Sequence, residues 1–209
     1  MDLQFLLRTF NGFSPNESIR QKALSEISPK RSVNYPAEIM RKARKAGVLL
    51  HFYEAEGALY FTLIERPSYK GVHSGQIALP GGKAEKFDKD IIATALREAK
   101  EEVNIEPDSV VVITALSPIY IPPSNFLVTP VLSYSESIPN FDPDPKEVKS
   151  IIHVRLNELL EKDLISSTQV TLDGGFKLQT NYLAIQNKVV WGATAILLNE
   201  FRHYLQQEV

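Results

Sequence analysis

Apolar positions along this chain recur in two rhythms, and the switches between them mark its elements. Leu3, Leu6, Leu7 and Phe10 fall at helical spacing and predict a short helix over residues 2–11 with those side chains inward. Asn16 or Ser18 can cap a second helix through Ile27, and Pro36 can open a third that ends near Lys45. Residues 48–53 and 59–64 then read as strands, joined at Glu54–Gly57 as a hairpin. Beyond a glycine-bearing loop, Ile92, Ala95, Leu96, Ala99 and Val103 form the apolar face of a helix. Further strands are predicted at 110–116, 127–134 and 148–154, with a short helix at 156–164. Residues 176–185 and 188–191 pair around Gln186-Asn187, and a last helix covers about 193–206. Mixed strands between helical segments predict a mixed sheet covered by helices, an α/β architecture. Residues 1–45 read as an N-terminal helical extension packed on a main domain of residues 46–209.

The polar flank of the 92–103 helix carries the chemistry. Glu98, Glu101 and Glu102 are related by three and four residues, so they are neighbours on one flank. Like charges at that spacing cost about 0.2–0.5 kcal/mol per pair, and Arg97, four residues before Glu101, offsets part of it. Acidic helix faces are commonly just solvated. Here a glycine pair, Gly81-Gly82, stands at a fixed distance upstream, and a divalent cation over the carboxylates accounts for both features. A cation among carboxylates points to phosphate chemistry.

Composition narrows the field. The 209 residues suffice for one full core, and a net charge of −2 gives no diffuse attraction to nucleic acid. Without cysteine there is no disulfide, thiolate metal site or cysteine nucleophile, which fits a reducing, cytoplasmic setting. The start of the chain has no secretory pattern and no stretch is long enough to span a membrane, so neither a membrane nor nucleic acid is an expected partner. Basic residues cluster at Lys30-Arg31 and over 41–45, as a solvated face or as a hold on an anionic substrate. The apolar N-terminal segment can support a homodimer.

Gly82, Asp88, Arg97, Glu98, Glu101 and Glu102 resemble the Nudix box, the signature of hydrolases that cleave nucleoside diphosphates linked to another group, using Mg²⁺ or Mn²⁺. The chain departs from the pattern at Asp88 (Glu in the family), at Asn104 (Gly in the family), and by one extra residue between Asp88 and Arg97. That extra residue is similar to the coenzyme A pyrophosphatase-like branch. So is the upstream segment 66–76, which carries Arg66, Lys70, His73, Ser74 and Gln76 as candidate substrate-binding residues. The branch's Leu-Arg pair is Lys70-Gly71 here, and Lys70 offers a point charge instead of a bidentate fork. The segments around 116–130, 144–148 and 190–195 are also similar to the branch, so the likeness runs from about Ala46 onward.

The resemblance implies a Nudix-type α/β/α sandwich and hydrolysis of a pyrophosphate bond by water. Glu98 and Glu102 are then the principal metal ligands, and Glu101 is a third ligand or the base. Gly82 gives its carbonyl to the metal, and Arg97 orients a carboxylate. Asp88 suits a helix N-cap. Glu147 is a candidate distant base, although an isolated surface carboxylate is the commoner case. His73 can meet a phosphate or the adenine, or be a neutral loop histidine. Tyr120, Phe126 and Trp191 are core or loop anchors before they are base-stacking groups. Three functions follow: hydrolysis of coenzyme A or its acyl forms to 3′,5′-ADP and 4′-phosphopantetheine, hydrolysis of another nucleoside diphosphate derivative (a nucleotide sugar, ADP-ribose or a dinucleotide polyphosphate), or a silent ligand-sensing domain. Asn104 keeps the backbone preference that glycine would serve.

Overall fold

The computed structural model describes residues 1–29, 35–67, 75–171 and 177–207. The N-terminal helices are α1 (Leu3–Phe10), α2 (Glu17–Ile27) and α3 (Ala37–Lys42). Asp2 and Asn16 cap the first two with their side-chain oxygens. The third helix ends before Lys45 because the chain is already extended at Ala43 and pairs as a strand from Arg44.

The strands β1 (Arg44–Ala55) and β2 (Ala58–Glu65) form the expected hairpin. Its two turn residues, Glu56 and Gly57, both have positive φ (52° and 70°), the conformation that matches the twist of the flanking strands. β3 (Ile77–Ala78) and β4 (Gly81–Lys83) follow, then α4 (Ile91–Val103), β5 (Val111–Ala115), β6 (Ile119–Ile121), β7 (Phe126–Tyr134) and β8 (Ser150–Arg155). β1 runs parallel to β7 and antiparallel to β2 and β4, so the main sheet is mixed. A second sheet holds β9 (Ile165–Thr171), β10 (Lys177–Ile185) and β11 (Lys188–Trp191), before α5 (Gly192–Gln207). The segment predicted as a helix at 156–164 is a 3₁₀ turn over Leu156–Leu160.

Period-two alternation in β1 divides the core. Leu49 packs with Ala95, Ala99 and Val103 of α4, while Leu50 and Phe52 face Phe10, Phe201 and the rest of α1, α2 and α5. The sheet is thus sandwiched between α4 on one face and α1, α2 and α5 on the other, the α/β/α order. The apolar stripe of α1 is used within this core: Leu6 and Phe10 are buried, and the Phe10 ring stacks on Phe201 at 5.3 Å. Among the described residues no helix is long and apolar enough to cross a membrane.

A polar element lies inside the sandwich at β1. His51 of β1 is fully buried between Ser133 Oγ (3.0 Å from Nδ1) and Ser135 Oγ (3.1 Å from Nε2). Ser135 donates its hydroxyl proton to Ser137 O at 2.6 Å, so it accepts from Nε2–H, and Ser133 donates to Nδ1. Burial pushes the His51 pKa down to about 4. The unfolded chain therefore binds a proton that the folded chain refuses, and stability falls as pH drops from about 6.5 toward 4. In His51→Gln, the slope of unfolding free energy against pH in that window should be shallower by about 1 kcal/mol per pH unit, read from urea unfolding.

Candidate active site

α4 owes its position to two glycines. A side-chain carbon at Gly47 of β1 would lie 2.6 Å from Ile91 O, so the first turn of α4 rests directly on the strand. One at Gly82 of β4 would overlap the Glu98 carboxylate. The glycine loop and the acidic helix are thus in contact through these carboxylate atoms. Gly82→Ala should leave the fold intact, because the obstacle is the end of a flexible side chain, yet swing Glu98 away. Activity should drop by about 10²-fold or more with a melting temperature close to the parent's. Gly47→Ala, which meets backbone, should unfold more readily.

Arg97 is the hub of the acidic flank. Its Nε and Nη2 grip Asp88 at 2.9 and 3.0 Å, Nη1 reaches Glu98 at 2.8 Å and Glu101 at 3.0 Å, and Nη2 also donates to Lys83 O at 3.1 Å. These bonds raise the guanidinium pKa, and they hold Asp88 well below the usual carboxylate range. Asp88 also accepts from Glu85 N–H and Thr94 Oγ1. The helix N-cap is Asp90, which accepts from Ala93 N–H at 2.8 Å. This corrects the reading of Asp88 as the cap: its carboxylate is committed to Arg97 and ties the loop to the helix.

Glu102 is the most enclosed of the acids at 1 % exposure. Its Oε2 accepts from Gly81 N–H at 2.7 Å and its Oε1 from Arg66 Nη2 at 3.2 Å. Arg66 also donates to Gly81 O, at 3.3 Å. Burial pushes the Glu102 pKa up to about 7. Arg66 and the Gly81 N–H work against that, and the charges of Glu98 and Glu147 add to it. Glu98 is raised as well, by burial first and, against the pull of Arg97, by Glu101 and Glu147. Glu147, from the segment between β7 and β8, is thus near enough for its charge to act on both acids. In the structure Arg97 links Glu98 with Glu101, and Glu102 turns to Gly81 and Arg66.

Of the upstream residues, Arg66 reaches the flank directly, and Gln76 accepts from Arg66 N–H through its backbone oxygen at 3.0 Å. Lys70, His73 and Ser74 lie outside the described residues. Tyr120 is buried and donates to Asn125 Oδ1. Phe126 lies under the Arg44 guanidinium at 4.0 Å, and Trp191 is half-buried.

Among the described residues no three acidic or histidine side chains converge into a ready cage for an ion. The donor set nonetheless fits a hard divalent cation. Glu98, Glu101 and Glu102 offer only oxygen, and two of them are desolvated among like charges that a cation would relieve. Gly82, which lies against Glu98, has a backbone carbonyl to add to the set.

Residues 42–172, more than half of the chain, match the family model described as the NUDIX domain. The chain belongs to the Nudix family. It is 34% identical over 164 residues to the mitochondrial Nudix hydrolase 15 of Arabidopsis thaliana, covering 75% of this chain and 57% of that protein. It is 34% identical over 132 residues to the peroxisomal coenzyme A diphosphatase NUDT7 of Mus musculus, covering 63% of this chain and 56% of that protein. The chain thus spans a little over half the length of both Nudix relatives. A Nudix hydrolase structure from Nitrosomonas europaea has the same fold, with a TM-score of 0.50 at 13% identity over 86% of this chain and 77% of that one.

Proposed function

We propose that this Nudix protein hydrolyses the pyrophosphate bond of coenzyme A or an acyl-coenzyme A, giving 3′,5′-ADP and the 4′-phosphopantetheine product. The observation that carries the reading is the meeting of Arg66 with Glu102. It joins the upstream segment, similar to coenzyme A-type Nudix proteins, to the acidic flank of the Nudix box. The likeness to a relative named as a coenzyme A diphosphatase supports the same substrate class.

In this reading Glu98, Glu102 and the Gly82 carbonyl would hold Mg²⁺ or Mn²⁺, with Glu101 as a third ligand or as the base. When bound, the cation draws charge from phosphate oxygens and lowers the pKa of an attacking water. The chain's own residues do the positioning, which is most of what phosphoryl transfer requires. Arg97 fixes Glu98 and Glu101 against the loop, Gly81 N–H fixes Glu102, and Arg66 passes its charge from Glu102 to a substrate phosphate. Glu147 or Glu101 accepts the proton of the attacking water. Lys70, His73, Ser74 and Gln76 complete the substrate hold. The cysteine-free composition suits a reducing compartment, and we place the protein in the cytoplasm.

A second reading, hydrolysis of another nucleoside diphosphate derivative, is favoured by one feature: Lys70-Gly71 stands where the coenzyme A-type proteins carry Leu-Arg. Mass analysis of products separates the two. The protein is incubated with coenzyme A, ADP-ribose and a dinucleotide polyphosphate in Mg²⁺ or Mn²⁺. Release of 3′,5′-ADP from coenzyme A supports the first reading; turnover confined to the others replaces it with the second.

A further inference from the structure

Asn104 stands where the family has glycine, and the exchange has a structural consequence. α4 ends in a left-handed C-terminal turn: Asn104 N–H donates to Lys100 O at 3.0 Å and Ile105 N–H to Ala99 O at 3.3 Å, with Asn104 at φ 62°, ψ 33°. Glycine would serve that backbone at least as well. What glycine lacks is the side chain. Asn104 Nδ2 donates to Asn140 O at 2.7 Å, and its Oδ1 accepts from Lys100 Nζ at 2.6 Å. A carbonyl only accepts and an ammonium only donates, so the amide has one orientation that satisfies both.

Asn140 begins a segment that runs over the end of α4 on its way from β7 to β8. Asp142 N–H donates to Val103 O at 3.3 Å, and Asp144 N–H donates to the carbonyl of Glu102 itself at 3.0 Å. Glu147 and Val148 N–H then both donate to Asp144 O (3.0 and 2.8 Å), a single turn that places Glu147 just past the residue bound to Glu102. Lys149 N–H closes the segment on Glu65 O at 2.8 Å. Three consecutive residues of the helix end, Glu102, Val103 and Asn104, therefore grip this segment, and Asn104 does so with its side chain.

We propose that Asn104 is a positioning residue whose side chain ties residues 139–149 to the end of α4 and so sets Glu147 against Glu98 and Glu102. The catalytic part of this proposal rests on the reading of that acidic flank as the reacting site; the tether itself does not. A family glycine leaves the segment to its backbone contacts. The asparagine here adds a clamp ahead of Glu147 in a conformation that asparagine tolerates.

The test compares the full-length protein with Asn104→Gly and Asn104→Asp. Glycine keeps the turn, so the melting temperature should stay within about 3 °C of the parent. Amide hydrogens of Asp142 and Asp144 should exchange about 10-fold faster. With coenzyme A, or whichever pyrophosphate substrate is turned over, kcat should fall about 3- to 10-fold with KM unchanged. In a Glu147→Gln background the glycine should cost nothing further. Asn104→Asp, which turns an acceptor toward the Asn140 carbonyl, should lose at least as much as glycine. Unchanged exchange at Asp142 and Asp144 overturns the tether. An undiminished kcat cost in the Glu147→Gln background overturns the link to Glu147. A parent protein that turns over no pyrophosphate compound defeats the proposed function, and the exchange rates then decide the tether alone.

Discussion

Glu102→Gln should cost about 10²–10⁴ in kcat while leaving the protein as stable as the parent, or more so. The amide keeps an acceptor for Gly81 N–H, so the 2.7 Å contact that seats the glycine loop survives. What is lost is a charge that burial disfavours and that Glu98 and Glu147 repel. Removing one member of a buried ion pair usually destabilises because the partner is left stranded. Here the partner is Arg66, whose side chain is 24% exposed and still donates to Gly81 O, so solvent can take up its charge. Thermal unfolding without added metal, beside steady-state rates with it, reads both halves. A variant that loses stability in step with activity would show Glu102 to be a structural acid only.

Arg97→Ala should be the most damaging single change on the flank, and through the fold first. It strands the charge of Asp88, whose side chain is 5% exposed and takes two of the five bonds that Arg97 makes. It also frees Glu98 and Glu101 from each other and releases Lys83 O. A broken buried pair of this kind costs about 3–5 kcal/mol. At about 2–4 °C per kcal/mol for a chain of this size, that lowers the melting temperature by roughly 6–20 °C. Arg97→Lys should recover part of the stability, since one ammonium can reach Asp88 but cannot fork between Asp88, Glu98 and Glu101. Calorimetry on the two variants checks the order; equal losses would mean the fork geometry contributes nothing.

The helices and hairpins were legible wherever one period ran long enough to be read. The acidic flank of α4, the turn at Glu56-Gly57 and the turn at Gln186-Asn187, whose residues both have positive φ, all follow from local chemistry. β9 was not legible: Ile165-Ser166-Ser167-Thr168-Gln169-Val170-Thr171 has no apolar alternation, and β10 beside it makes it a strand. β6, three residues between prolines, exists because β7 offers an edge.

At the site, sequence placed the acids on one flank but not their bonding. In sequence Asp88 suits the cap. Only the fold shows that Arg97, nine residues on, takes Asp88 and leaves the cap to Asp90. The Arg66–Glu102 contact joins residues 36 apart and depends on how β2 ends beside β4. His51 gave no signal, because its partners, Ser133 of β7 and Ser135 just past its end, come more than eighty residues later. Asn104 was legible as a backbone substitute for glycine, while its side-chain bond to Asn140 was not.

Mn²⁺ titration followed by electron paramagnetic resonance tests directly whether the acidic flank is a seat for a hard divalent cation. The parent protein should deplete the free Mn²⁺ signal saturably, and Glu98→Gln combined with Glu102→Gln should abolish the depletion while the protein remains folded by circular dichroism. Equal Mn²⁺ binding by the folded double variant would contradict the account, because the cation would then sit elsewhere and the crowded carboxylates of α4 would be a structural flank.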